Sequence, residues 1–320
     1  MKKQIGIMLI FGFCLIMIPC ITFINGKPDS AKVLGSGSVK ILFTQTDTVE
    51  EISLEDYMIG AVLAQMPAEF EEEALKAQAV LAHTYILRRQ LTENNSPDQK
   101  LNGADISDDN SLYQSYFTEE QAKDFYGDEY DTAYEKVSNA VRAVKNQILV
   151  YDSQPIIVAF HAISCGYTES AENLWGEDIP YLISVESKLD EELEGFEKTT
   201  ELSLEELTAR LEAAFPDGDF SGISDKLEAT DTTDTGTVLT IEVGKVQLRG
   251  VDFAEALSLP SPCFSIETDG ENYTFTTKGY GHLIGMSQYG ANLMAQEGKD
   301  YQEILSRYFT GTEIEKATSD

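Results

Sequence analysis

The sequence predicts an α+β fold. Helical stripes and short β-branched runs follow one another without the strict alternation of a doubly wound sheet, and no internal repeat is present. At 320 residues the chain exceeds a typical single domain, so it reads as one large mixed domain or two closely packed lobes behind a single-pass N-terminal membrane anchor. A hydrophobic content of 42% with 10% aromatics is globular composition and excludes general disorder.

The elements follow in order. Lys2 and Lys3 precede an apolar run from Ile5 to Ile24, long enough as a helix to cross a hydrocarbon core of about 30 Å. Thr22 to Gly26 offers no obvious small-residue cleavage site, so residues 1–25 read as an uncleaved signal-anchor, with a cleaved signal peptide as the alternative. The two lysines place the N-terminus in the cytoplasm and everything after Asn25 outside, as a protein of the cell membrane with an extracytoplasmic C-terminal domain. Residues 26–38 have linker composition, and the ectodomain occupies residues 39–315.

Val39 to Phe43 and Val49 to Ser53 read as strands. A helix opens at Leu54 with Glu55 and Asp56 in its first turn and stops at Met66-Pro67, because proline disfavours helix in the residue before it. From Glu71 to Gln90, Leu75, Ala79, Ala82 and Ile86 recur as one buried helical stripe. Residues 92–112 are polar and rich in turn residues and read as an exposed loop. Within Glu119 to Asn146 the helical part is Tyr134 to Val144. Ile148 to Tyr151 and Pro155 to Ala162 form a hairpin about Asp152-Ser153, and Leu202 to Phe215 is a helix with Ser203 and Glu206 as its cap. A second hairpin turns at Gly244-Lys245. Helices around Met286–Glu297 and Tyr301–Tyr308 close the chain.

Charge narrows the function. The chain carries 23 basic and 55 acidic residues, a net charge of −32, and no basic patch, so nucleic acid is excluded as a partner. Such a surface also repels anionic wall polymers, so recognition has to come from a shaped cleft rather than from bulk charge. The four cysteines are too few for a disulfide scaffold, and only Cys165 and Cys263 lie outside the apolar run. His161 and Cys165 have a spacing that zinc could use, but a closed site needs four ligands and the chain has only three histidines. No metal and no cofactor are expected.

Three segments carry the chemistry. The first, Leu54 to Tyr85, sets two helices around the Met66-Pro67 corner and displays Gln65 at a helix end. Phe160 to Ser170 follows, leading a hydrophobic run into a turn bearing Ser164, Cys165, Tyr167 and Thr168. Third comes Lys278 to Ala291, whose glycines let the backbone approach a ligand or a neighbouring segment; it lacks the ending of a phosphate-binding loop. In it, Ser287, Gln288 and Tyr289 have side chains able to hydrogen-bond sugar hydroxyls.

These segments, in this order, resemble the stage II sporulation protein D family, which includes an amidase enhancer. Matches to the family pattern include Glu73 to Val80, Thr84-Tyr85, Thr168-Glu169, Leu174-Trp175, Gly285 to Ala291, and Ile304-Leu305 with Tyr308-Phe309 before Gly311. The resemblance implies a membrane-anchored peptidoglycan lytic transglycosylase that cuts glycan strands during engulfment. It also implies two partners, the amidase stage II sporulation protein P and the membrane protein stage II sporulation protein M. In such chemistry one acid protonates the glycosidic oxygen and the sugar's own 6-hydroxyl closes an anhydro ring, so a single carboxyl suffices. Substrate contacts are implied at His83, Tyr85, Ser164, Tyr167 and Thr168, and at His282 with Ser287, Gln288 and Tyr289.

The chain departs from the pattern at telling positions. Gln65 stands where the family has its catalytic glutamate, and a carboxamide delivers no proton. His83 replaces an arginine. Cys165 replaces the first glycine of the serine–glycine turn, and Leu283 the glycine after His282. Glu69, four residues beyond Gln65, is the candidate substitute acid, while Glu73 reads as a structural helix residue. Two readings follow: a lytic transglycosylase with an altered acid, or a glycan-binding or amidase-enhancing module without the chemistry.

Overall fold

A computed structural model describes residues 37–317. The apolar run and nearly all of the linker lie outside these residues. Among the described residues no helix is long and apolar enough to cross a membrane. The fold is mixed α+β, and the chain divides into two compact units, one holding residues up to Ala159 and from Ala291 onward, the other Phe160–Gly290.

In the first unit, β1 (Ser38–Phe43) and β2 (Thr48–Ser53) form an antiparallel hairpin in which Leu42 faces Val49, closed by a left-handed turn at Asp47. Ser53 then caps α1 (Leu54–Gln65) by accepting from the Asp56 amide, with Glu55 and Asp56 placed where the helix dipole favours them. The helix stops where expected: the Met66 amide still reaches the Val62 carbonyl, but Pro67 prevents another turn.

Next comes α2 (Glu72–Asn95). The expected stripe Leu75, Ala79, Ala82, Ile86 is fully buried, but so are Ala74, Ala77, Gln78, Val80 and Leu81, so the helix is enclosed on nearly every side over its first half. The exposed loop expected at 92–112 is a correction. The helix runs on to Asn95, and Leu101, Ala104 and Ile106 are buried, with β3 (Ile106–Ser107) pairing parallel to β1. Three apolar side chains in a polar stretch were enough to anchor it. Likewise, the single helix expected within Glu119–Asn146 is two, α3 (Glu119–Tyr126) with a Thr118–Gln121 capping box and α4 (Tyr130–Val144), parted at Gly127.

The hairpin at β4 (Gln147–Tyr151) and β5 (Gln154–Pro155) turns on Asp152 and Ser153, both left-handed, as a two-residue turn requires. Its second arm pairs over two residues only, shorter than the sequence suggested. The C-terminal strand Glu313–Lys316 lies antiparallel to β4 on the other edge. Before it, the helix Tyr301–Tyr308 receives Glu73, whose carboxylate accepts from the Tyr301 amide at 2.9 Å. Glu73 thus serves as a helix-end brace.

The second unit begins with β6 (Phe160–His161) and α5 (Ala171–Trp175). It continues with β7 (Glu197–Ser203) and α6 (Leu204–Ala214), capped by Ser203 and Glu206 as the sequence predicts. Then follow β8 (Leu227–Thr232), β9 (Val238–Val243), β10 (Val246–Arg249), α7 (Gly250–Leu257), β11 (Phe264–Thr268), β12 (Asn272–Lys278) and β13 (Met286–Ser287). They form antiparallel sheets β8–β9–β10 and β7–β12–β11, and a short parallel pair β6–β13. Phe253, Phe264 and Phe275 meet at the centre of its core, with ring centroids 5.5–6.4 Å apart, surrounded by Leu207, Leu211 and Ile241. Each such side chain contributes about 1.5–3 kcal/mol by burial.

Candidate functional site

Gln65, the last residue of α1, is 4% exposed. Its Nε2 donates to the Ser115 carbonyl at 2.7 Å, and its Oε1 accepts from Gln78 Nε2 at 2.7 Å. Because a backbone carbonyl can only accept, the orientation of the Gln65 amide is fixed, and that of Gln78 follows. The Gln65 side chain is therefore a buried donor–acceptor bridge between α2 and the segment before α3. Glu69 lies on the exposed corner after Pro67, where its backbone carbonyl accepts from Lys136 Nζ at 3.0 Å.

His83 points inward from α2. It is 2% exposed, its Nδ1 donates to the Gln147 carbonyl at 3.0 Å, and burial lowers its pKa to about 4, so the ring is neutral at physiological pH. Tyr85 is half-buried. Its hydroxyl accepts from the Gln114 amide at 3.2 Å, one residue from the carbonyl that holds Gln65, and burial pushes it up to about 12.

The other candidates belong to the second unit. The strand pair β6–β13 brings the serine-bearing turn and the glycine-rich segment together, with Ile163 bridged to Tyr280. Side chains on Gly279 or Gly281 would run into Ser164 or His161, and both residues have positive φ, which accounts for glycine at each. Ser164 and Ser287 are fully buried. The Ser164 amide donates to Asp190 Oδ2 at 2.8 Å, and the Ser187 hydroxyl donates to the same oxygen at 3.1 Å. Burial pushes the Asp190 carboxyl up, while the hydroxyls of Ser164 and Ser287 oppose the shift.

Ser287 Oγ donates to the Ala162 carbonyl and accepts from the Gly290 amide, and the Tyr289 amide donates to that same carbonyl. Gln288, between them, is nearly buried. Thr168, also buried, uses its hydroxyl twice, donating to the Ile183 carbonyl at 3.2 Å and accepting from the Val185 amide at 2.9 Å. Tyr167 is half-buried under the Lys188 ammonium, 5.9 Å from its ring centre. His282 lies between His161 and Trp175, with ring centroids 5.8 and 6.1 Å away. Its Nδ1 accepts from the Ile284 amide, which fixes the proton on Nε2, and burial lowers its pKa to about 4.

Sequence reasoning missed Gln78, Ser115, Asp190 and the role of Glu169. Glu169 is a buried carboxylate that accepts from Thr233 at 2.8 Å, from Asn173 at 3.2 Å and from the Thr235 hydroxyl. Its place in a family-matched Thr-Glu pair was the available signal. Asp190 had none, being one acid among 55 in a loop without periodicity. Leu283 holds φ +66, the left-handed conformation for which the family pattern supplies glycine, and it is buried against Cys165 and Cys263. No group of three or more ligating side chains that could hold a metal ion occurs among the described residues.

Comparison with known proteins agrees with this arrangement of motifs. A family profile described as "Stage II sporulation protein" matches residues 43–151. Stage II sporulation protein D of Bacillus amyloliquefaciens is 38% identical over 282 residues, covering 88% of this chain and 80% of that protein. Its counterpart in Bacillus subtilis (strain 168) is 38% identical over 300 residues, covering 92% and 85%. The amidase enhancer of the same B. subtilis strain is 28% identical over 309 residues, covering 80% of this chain and 40% of that protein. With such identity sustained along most of both chains, this protein belongs to the stage II sporulation protein D family.

Proposed function

We propose that this sporulation protein acts on peptidoglycan as a glycan-strand-binding, amidase-enhancing member of its family in which proton transfer at the acid position has been given up. The observation that carries the reading is the Gln65 amide, tied by its nitrogen to the Ser115 carbonyl and by its oxygen to Gln78. A general acid needs a proton that it can release, and a carboxamide in this bridge has none to give. The amidase enhancer among its relatives favours a partner role. The amidase stage II sporulation protein P and the membrane protein stage II sporulation protein M are the proposed partners. In this reading the run Ile5 to Ile24 holds the chain at the membrane with residues 39–315 on the outer face, where the wall is.

Glycan strands stripped of stem peptides test it. The protein should co-sediment with them while releasing anhydro-ended products at least about a hundredfold more slowly than a relative that keeps the glutamate. Rapid release of anhydro ends, abolished by Glu69→Ala and untouched by Gln65→Ala, would instead mean that the acid has moved to the exposed corner. Failure to sediment would remove glycan as the ligand.

A further inference from the structure

Two of the chain's departures from the family pattern converge on one spot. Cys165 and Leu283 both stand where the pattern has glycine, and both pack in a small apolar cluster whose third member is Cys263. Such a cluster needs all three side chains, so the substitutions read as one coordinated change. The two cysteines are unbonded thiols, 7% and 4% exposed. Cys263 is held firmly at the head of β11, its amide donating to Ser261 Oγ at 3.1 Å and its carbonyl accepting from the Lys278 amide at 2.8 Å. Cys165 occupies the tight turn between Ser164 and Gly166, its Sγ 3.4 Å from the Tyr167 carbonyl.

We infer that Cys165 and Cys263 are a disulfide-forming pair, which on oxidation ties the turn bearing Ser164 and Thr168 to the head of β11. The inference stands apart from the glycan reading. The pair is intramolecular, because both sulfurs are turned into the same cluster and shielded from other chains. The contact between the two thiols holds one of them below the usual thiol range at the expense of the other, which supplies the nucleophile.

With a diazene oxidant such as diamide the steps balance. One of the two thiolates adds to one nitrogen of the N=N bond and the other nitrogen takes a proton. The other cysteine sulfur then attacks that Sγ, the S–S bond forms, the S–N bond breaks, and the hydrazine leaves with the second proton. Two electrons and two protons pass from the thiols to the diazene. The closed loop holds nearly a hundred residues, including β7 to β10 and most of the core of this unit, so closing it restricts the unfolded chain strongly.

The test uses the full chain in detergent micelles with Cys14→Ser and Cys20→Ser, so that only the two cysteines in question remain. Diamide treatment should lower the intact mass by two hydrogens, yield a peptide linking Cys165 to Cys263 after digestion, and raise the thermal midpoint by about 10 °C. Cys165→Ser and Cys263→Ser should each abolish all three effects. Quantitative alkylation of both thiols after treatment, exclusive formation of intermolecular dimers, or a mass change that survives in either single variant would overturn the inference.

Discussion

Gln78 Nε2 and Gln65 Oε1 are 2.7 Å apart, joining two buried amides thirteen positions apart across the Met66-Pro67 corner. The bond ties the end of α1 to the first half of α2, so that Gln65 is held by a partner on the helix that follows.

Replacing Gln78 with methionine keeps the volume but removes the donor to Gln65. The variant should be destabilised by about 1–3 kcal/mol, the cost of breaking a buried hydrogen bond and leaving a polar atom less well satisfied. Urea unfolding at neutral pH checks it; a change under about 0.5 kcal/mol would show that the bond is dispensable.

Gln65→Glu places a carboxyl between the Ser115 carbonyl and Gln78 Nε2. Only the protonated form can donate to that carbonyl, and burial adds to the preference, so the new group should titrate well above the ordinary glutamate range. A carboxyl kept protonated near neutral pH is what an acid for glycosidic cleavage requires. The variant should therefore bind stripped glycan with nearly unchanged affinity and cleave it about 10²–10⁴-fold faster, read as anhydro ends released per hour. Unchanged cleavage would mean that the corner no longer presents this position to the substrate.

Acid sensitivity follows from His83. Its pKa falls from 6.5 in the unfolded chain to about 4 in the folded protein, because burial disfavours the charged ring. As pH falls, the unfolded chain takes up the proton first. The stabilisation is complete above about 6.5 and is lost as pH falls towards 4, below which this group adds no further loss. The change is of the order of 3 kcal/mol. His83→Asn retains a donor for the Gln147 carbonyl without titrating, so its unfolding free energy should drop by about 2 kcal/mol less than that of the native chain between pH 7 and pH 4.5. Parallel pH profiles for the two would contradict the assignment.

Glu169 is a buried anchor whose loss should be costly. Glu169→Ala strands the hydroxyls of Thr233 and Thr235 and the Asn173 amide, and should destabilise by about 3 kcal/mol or more. Glu169→Gln keeps one accepting oxygen for the threonines, while Asn173 can flip to meet the new amide, so its cost should stay near 1 kcal/mol. Chemical denaturation of the two variants distinguishes a hydrogen-bonding role from a requirement for charge.

The α+β class, both edges of α1, the Ser203 cap, the Gly244-Lys245 hairpin and the family were legible in the residue order, because each rests on local chemistry: a proline, a hydroxyl before a first turn, a two-residue turn, a run of matched motifs. Resemblance to the family pattern also drew attention to Gln65. What surrounds Gln65 became visible with the folded chain. Ser115 lies fifty residues from Gln65, and nothing local marks a backbone carbonyl as the partner of a distant amide. The same holds for β3, where Ile106 pairs beside Ile41 across a polar stretch, and for Asp190, whose burial beneath Ser164 comes from chain folding rather than any pattern in its loop. Hydrogen bonds and contacts between segments far apart in the chain leave no periodicity to read, whereas helix ends and turns are written in adjacent residues.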